Sequence, residues 1–551
     1  MAFSYALILV IEALVLVPFI IYSLLTSKQV SISNLDRKKI VWLACLLLIG
    51  SGILFLGPKL NLISEYNYTK LTADSWAHYF ITKDWSDTGS LQGTNYQFYS
   101  KFPLTYVPQV LLHYMTGLSA FDTMTVYYLT AGISGLLLVF GISREIIKGS
   151  NVEKLIFAGI AGGVYSFLQY FNLLFAQQYP LAIGTLATLL CIYSFALLIN
   201  RRKRSLIYLC ISGILLALSH PFAPILISIL FLVYFLLGKA RAFTPNPYRG
   251  LISRRVALSM SAIAIVTGMM YTVFVTSGVF ENGVRWSELN VRYTWAKVTS
   301  QLAEETVSGV GSSFEGRYQS FDAVLYPLNW ALPTASSIGM LIFFLSGKSR
   351  LEEDHLHLLL PLSIVSTFLF ILTFAFSFVE FAFSRYFGAF ALTFNIPVSA
   401  YMIYRIMFAA NRSTLRMSVL RYATVALFGM GVVASVTDPT MLPQINIGDV
   451  VYRDTKIYPT ELELVAWQDF YGTVGDEHRS IRTNLNAGPV DYFKNTNGYE
   501  NIIVKNPKNY TLTAENAYLV IDKDSLDLGT ELQENSLLDK VYDNSEIYLG
   551  R

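Results

Sequence analysis

Twelve stretches of about 20 mostly apolar residues, each long enough to carry a helix across a hydrocarbon core of about 30 Å, constrain this chain more than any other feature. They begin near Ser4, Ile40, Met124, Leu155, Pro180, Ser205, Phe222, Val256, Tyr326, Leu356, Tyr386 and Val419. With 53 % of its 551 residues hydrophobic and only 14 % charged, the chain is too apolar for a water-soluble enzyme of that length. The expected fold is mainly α: a polytopic transmembrane helical bundle of about twelve spans over residues 1–436, and a small extracytoplasmic α/β domain over 437–551. Cys45, Cys191 and Cys210 all fall inside apolar runs, so they read as packing residues and suggest no disulfide framework.

Charge orients the spans. The tail after residue 437 holds 19 acidic and 10 basic side chains, so the basic excess belongs to the membrane part, where short loops use it to set topology. No basic residue precedes the first span, whereas Lys28, Arg37, Lys38 and Lys39 follow it, which reads as a retained helix with its N-terminus outside. Alternation from there places loops 26–39, 144–154, 200–204, 239–255, 347–355 and 409–418 in the cytoplasm. Those loops carry Arg144, Lys148, Lys154, the run Arg201-Arg202-Lys203-Arg204, Lys239, Arg241, Arg249, Arg254, Arg255, Lys348, Arg350, Arg412 and Arg416. The apolar stretch Phe102–Gly117 is interrupted by Pro103 and Pro108, and counting it as a crossing would move Arg201–Arg204 outside. It is read as a re-entrant or interfacial helix, which leaves both termini extracytoplasmic.

Three regions then face outward: loops 58–123 and 277–325, and the tail. The tail has β-rich runs at Asp449–Tyr452, Asn501–Val504, Tyr518–Ile521 and Val541–Leu549, and a helix-like TELELVAWQDF from Thr460. The region Glu281–Asp322 mixes Arg285, Arg292, Glu304, Glu305, Glu315 and Arg317 with Gly309, Gly311 and Gly316, and reads as a mobile lid.

The first outer loop contains ADSWAHYFITKDWSDTG, which puts Asp74 and His78 at i, i+4 on one face if helical. Asp84 and Asp87 follow, then the aromatic, proline-containing run Tyr96–Tyr106. A carboxylate at a membrane surface among aromatic rings is suited to deprotonating a sugar hydroxyl or holding a cation, because low dielectric raises its basicity and its affinity for cations. The other reading is an amphipathic interfacial helix whose Trp and Tyr belong to the aromatic belt.

An acidic residue opening a helical first loop, a His four residues on, a Gly about ten further, and an aromatic-Pro run closing the loop together resemble the GT-C superfamily. Its members include protein O-mannosyltransferases, aminoarabinose transferases and oligosaccharyltransferase catalytic subunits. Ser384–Pro397 (SRYFGAFALTFNIP) is similar to the late-helix R-(F/Y)…P pattern of those proteins, and Asp543-Asn544…Ile547-Tyr548 to the closing strand of archaeal-type members. The pattern departs from the family where Asp74 is followed by Ser75 rather than a second acid, which leaves the divalent metal (Mg or Mn) open, with Asp84 and Asp87 as its candidate ligands.

The resemblance implies sugar transfer from a polyprenyl- or dolichyl-phosphate donor to a lipid-linked glycan or protein acceptor on the outer face. It makes Asp74 the catalytic base, with His78 beside it. Phosphate needs cations: Arg385, at the outer end of its helix, can hold phosphate oxygens bidentately, or it can snorkel or pair with Glu380. His220, in LSHPFAP, either opens an imidazole to the donor phosphate or only makes a tight turn. Gln177, Gln178 and Tyr179, in an outward hairpin, and Glu304 are candidate sugar or acceptor contacts. No Gly-rich strand-turn-helix marks a nucleotide-sugar site on the cytoplasmic side, which favours a lipid-phosphate donor, and no nucleic acid partner is expected.

Two alternatives stand beside this reading. Gln301-Leu302-Ala303-Glu304 and Trp467-Gln468-Asp469-Phe470-Tyr471-Gly472 resemble, incompletely, the loop and acceptor-site motifs of oligosaccharyltransferases. A flippase or transporter for a lipid-linked glycan would instead place ionisable groups near the midplane and show matched halves with broken helices. Glu12 is the only obvious acid within a span, and the hydropathy shows no two-fold repeat.

Overall fold

The computed structural model describes residues 28–29, 46–56 (without 48 and 54), 73–89, 102–168 (without 148), 180–239, 332–342, 356–377, 384–410 (without 408), and five strands between 480 and 550. The protein is mainly helical. It forms two compact units, residues 1–61 with 84–445 and residues 62–83 with 446–551. The helices are α1 (Ala73–Thr88), α2 (Val107–Thr116), α3 (Ala120–Ile146), α4 (Asn151–Phe167), α5 (Pro180–Ile199), α6 (Ser205–Ser219), α7 (Phe222–Lys239), α8 (Leu332–Ile342), α9 (Leu356–Ser377) and α10 (Ser384–Met407). Of the expected sites and elements, Gln177, Gln178, Tyr179, Glu304, the lid, the strand at 449–452 and the helix from Thr460 lie outside the described residues.

Three described helical segments are long and apolar enough to cross a membrane: Ala120–Ile146, Pro180–Ile199 and Tyr386–Met407. Leu137 on α3, Ile207, Ile211 and Ile214 on α6, Leu232 and Leu236 on α7, and Phe368 and Ile371 on α9 are all exposed, and these apolar side chains suit lipid rather than water. Cys210 is exposed too, whereas Cys191 is buried, so Cys210 does not have the packing role expected of it.

Helices begin earlier than the apolar runs, because capping residues are polar. α3 starts four residues before Met124, with Ser119 as N-cap accepting the Asp122 N–H at 3.1 Å. α4 starts at Asn151 behind a reciprocal Ser150/Glu153 capping box, so the expected loop 144–154 shrinks to residues 147–150. The stretch Phe102–Gly117 holds only the ten-residue α2, with Pro108 in its first turn and Gly117 as a left-handed cap. Ten residues rise about 15 Å, half a hydrocarbon core.

Three ties pin the ends of the helices. Glu145, at the end of α3, receives Arg202 through Nε and Nη2, both at 3.2 Å, and Asn200 Nδ2 at 2.8 Å. Lys28–Gln29 (β1) pairs antiparallel with Ala409–Ala410 (β2). The Leu104 N–H donates to Leu218 O at 3.2 Å, and Tyr127 Oη donates to Leu104 O at 2.6 Å.

The turn between α5 and α6 is a Schellman motif: Arg202 N–H reaches Leu197 O at 2.9 Å and Arg201 N–H reaches Leu198 O at 3.0 Å. Arg201 (φ 53°) and Arg204 (φ 61°) are left-handed, a conformation that costs a residue with a Cβ about 1–2 kcal/mol.

Within the bundle, α8, α9 and α10 share a buried polar cluster. Asn395 Nδ2 donates to Pro333 O at 2.7 Å and to Ser337 Oγ at 2.5 Å, Ser337 Oγ meets Ser366 Oγ, and Ser399 Oγ donates to Asn395 Oδ1. Hydrogen bonds between helices hold a bundle where apolar burial gives little drive, because the surrounding lipid is itself apolar.

The described strands of the tail form a mixed five-stranded sheet in the order β4-β3-β5-β7-β6: β3 (Ser480–Thr483), β4 (Ile503–Lys505), β5 (Ala517–Asp522), β6 (Lys540–Asp543) and β7 (Ile547–Gly550). β3 runs parallel to β4 and β5, while β7 is antiparallel to β5 and β6. The apolar run Val541–Leu549 is thus covered by two antiparallel strands, separated in sequence where Asn544-Ser545-Glu546 breaks the alternation.

Candidate functional site

The segment that carries Asp74 and His78 is helical where the sequence requires it. α1 opens at Ala73, which makes Asp74 its second residue and puts His78 one turn further along the helix. His78 is buried, and its carbonyl accepts the Thr82 hydroxyl at 3.1 Å. Asp84 and Asp87 are exposed, and the Asp84 carbonyl accepts Thr88 Oγ1 at 2.6 Å. Gly89, with φ +64°, ends the helix through its N–H to Trp85 O, a left-handed position that glycine fills without strain. The fully buried Trp85 packs edge-on against Tyr106, with ring centroids 5.2 Å apart, and Tyr114 Oη donates to Ser86 O at 2.7 Å. These contacts join the end of α1 to the Phe102–Gly117 segment.

A second group gathers around His220. The residue is extended (φ −162°, ψ 140°) between α6 and α7, because Pro221 disfavours helical backbone in the residue before it. Its Nδ1 accepts the Phe222 N–H at 3.3 Å, so in the neutral ring the proton is on Nε2, which makes that nitrogen a hydrogen-bond donor. Three aromatic rings surround the imidazole: Tyr386 at 5.2 Å, Phe222 at 5.9 Å and Phe390 at 5.9 Å, with Phe222 and Tyr386 stacked on each other. On the other side α5 approaches so closely that a Cβ on Gly184 would lie 2.7 Å from His220 Cβ.

These contacts pack the first turns of α7 and α10 and the second turn of α5 around His220. Gly184 is the fifth residue of α5, Phe222 the first of α7, and Tyr386 the third of α10. Each helix N-terminus presents unpaired N–H groups and about half a positive charge, the arrangement that binds anions. Arg385 immediately precedes Tyr386 in the first turn of α10. Asp74 and His78 belong to the other compact unit.

Local sequence does not mark Gly184, Leu104 or Tyr127, and Trp85, which the interfacial-helix reading gives to an aromatic belt, is buried. A glycine inside the apolar run PLAIGT is the one signal that could have marked Gly184, since glycine weakens a helix unless something must approach closely. Among the described residues, no three His, Cys, Asp or Glu side chains assemble into a metal cage.

No protein-family model matches the chain, and no curated protein matches it by sequence. Solved structures do. ArnT from Cupriavidus metallidurans in the apo state matches over 93 % of this chain and 98 % of that one, at TM-score 0.51 and 12 % identity. The same protein bound to undecaprenyl phosphate matches over 94 % and 98 %, also at 0.51 and 12 %. The Archaeoglobus fulgidus oligosaccharyltransferase tethered with an acceptor peptide matches over 88 % and 69 %, at 0.49 and 13 %. Aligned along nearly its whole length with ArnT, the chain shares the fold of that protein.

Proposed function

We propose that this protein is a membrane glycosyltransferase that moves a sugar from a polyprenyl- or dolichyl-phosphate donor to an acceptor on the outer face of the membrane. The observation that carries the reading is the packing of Phe222 and Tyr386, from the first turns of α7 and α10, and of Gly184 on α5 around His220, in a chain with the ArnT fold. ArnT itself has been seen with undecaprenyl phosphate. In this reading the His220 Nε2–H and the Arg385 guanidinium hold the donor phosphate, and the N-termini of α5, α7 and α10 add positive potential around it. Asp74 takes the proton from the acceptor hydroxyl as its oxygen bonds to the anomeric carbon. The bond from that carbon to the phosphate oxygen breaks, and the lipid phosphate leaves with the electron pair. His78 sits one turn along from Asp74 on α1, Gln177, Gln178, Tyr179 and Glu304 contact sugar or acceptor, and Asp84 and Asp87 are the candidate ligands for a divalent cation. The bundle has about twelve spans over 1–436, and both termini and an α/β tail from 437 are extracytoplasmic.

The test is direct. The purified chain is incubated with undecaprenyl-phosphate-linked sugars, and release of undecaprenyl phosphate is followed. Asp74→Asn keeps the side-chain size but cannot take a proton, so turnover should fall by about 10²–10⁴-fold while donor binding persists. Transfer at the wild-type rate would remove Asp74 from the chemistry.

A further inference from the structure

The α5–α6 turn carries four consecutive exposed cations, Arg201, Arg202, Lys203 and Arg204. Among the described residues, Arg202 is the one of the four that pairs with a carboxylate, that of Glu145. Side chains of Arg201, Lys203 and Arg204 make no hydrogen bond or ion pair with a described residue. Arg144, also exposed, adds a further cation beside Glu145. We propose that this turn holds the phosphate groups of anionic lipids in the leaflet that it borders, an interaction separate from the proposed sugar transfer.

Position supports this. The 20 residues of α5 rise about 30 Å, the thickness of the hydrocarbon core, so the turn that follows Ile199 stands at the level of the lipid phosphates. Access supports it too. The first turn of α6 exposes Leu206, Ile207 and Tyr208, an apolar surface with an interfacial tyrosine, so the cations border lipid rather than the bundle interior.

The backbone separates lipid binding from a purely topological role. Arg201 fills the left-handed position of a Schellman motif, where glycine or asparagine is favoured, and Arg204 is a left-handed N-cap with no side-chain cap bond. Orienting a span during insertion needs positive charge in the loop, which Arg202 and Lys203 already give without strain. Arginine at the two strained positions points to use of the guanidinium itself, whose fork matches phosphate oxygens.

The experiment uses the purified full-length chain in detergent, where insertion no longer matters. Binding of phosphatidylglycerol and of phosphatidylcholine with identical acyl chains is measured by native mass spectrometry, for the wild type and for R201G/R204G. Glycine removes both cations and relieves the left-handed strain, so the thermal midpoint should hold or rise. Wild type should prefer phosphatidylglycerol. The double variant should lose about thirtyfold in affinity for it, about fivefold per cation, and K203A about fivefold. An undiminished preference in R201G/R204G, or no preference in the wild type, would overturn the proposal. Displacement of phosphatidylglycerol by inorganic phosphate alone would overturn it as well, since the turn would then be a site for free anions.

Discussion

Replacing Gly184 by alanine tests the packing that holds His220 in place. The added Cβ would lie 2.7 Å from His220 Cβ and 3.2 Å from its Cγ, while its distance to Phe390 Cζ, 3.6 Å, is ordinary contact. Carbon atoms rest at about 3.5–4.0 Å, so α5 and the α6–α7 turn must part by about 1 Å. No rotamer of His220 avoids this, because the obstructing atom is its Cβ, fixed to the backbone. Overpacking of this kind costs about 1–3 kcal/mol, against a gain of about 0.5–1 kcal/mol from removing a helical glycine. The net expectation is a loss of about 1–2 kcal/mol, read as a lower unfolding midpoint of the purified chain, with a raised donor KM as the imidazole leaves the Tyr386 and Phe222 rings. A double-mutant cycle makes the reasoning refutable. His220→Ala keeps the Cβ and should not rescue Gly184→Ala. His220→Gly removes it, and in that background Gly184→Ala should stabilise by about 0.5–1 kcal/mol. Equal destabilisation in both backgrounds, or none in the wild type, would mean that α5 does not press on the turn.

Arg385→Ala should weaken donor binding about 10- to 150-fold, the value of roughly 1.5–3 kcal/mol for a charge-assisted bond, at an unchanged unfolding midpoint. Lost expression with unchanged donor affinity would instead assign Arg385 to its pairing with Glu380. Topology is tested in a background without native cysteines: Lys203→Cys should be shielded from an impermeant thiol reagent in intact cells, and Ser525→Cys should react. The reverse labelling would invert the orientation and with it the external site.

Apolar runs located the helices well, because lipid-facing and core-facing sides are both apolar and the boundary with water is abrupt. Pro180, Ser205, Phe222 and Leu356 open both their runs and their helices. Ala120 and Asn151 open helices ahead of their runs, since Ser119 and Ser150 cap through hydroxyls that hydropathy counts as loop. The α1 residues were legible because their spacing is local. What surrounds His220 was not: Gly184 and Tyr386 lie 36 residues before it and 166 after it, and no local pattern records such a meeting. The tail's strands were found by alternation except β3, whose Ser480-Ile481-Arg482-Thr483 carries a single large apolar residue.

The pairing of Lys28–Gln29 with Ala409–Ala410 bears on how the molecule assembles. The two strands are separated by about 380 residues of chain, so during synthesis at about 5–20 residues per second the first strand waits roughly 20–80 s for its partner. For that interval the spans between them are already being threaded into the bilayer, held only by their neighbours. The clasp closes late, on spans already made rather than as a nucleus for them, and its loss should show as slow maturation of newly made protein more than as instability of the mature form.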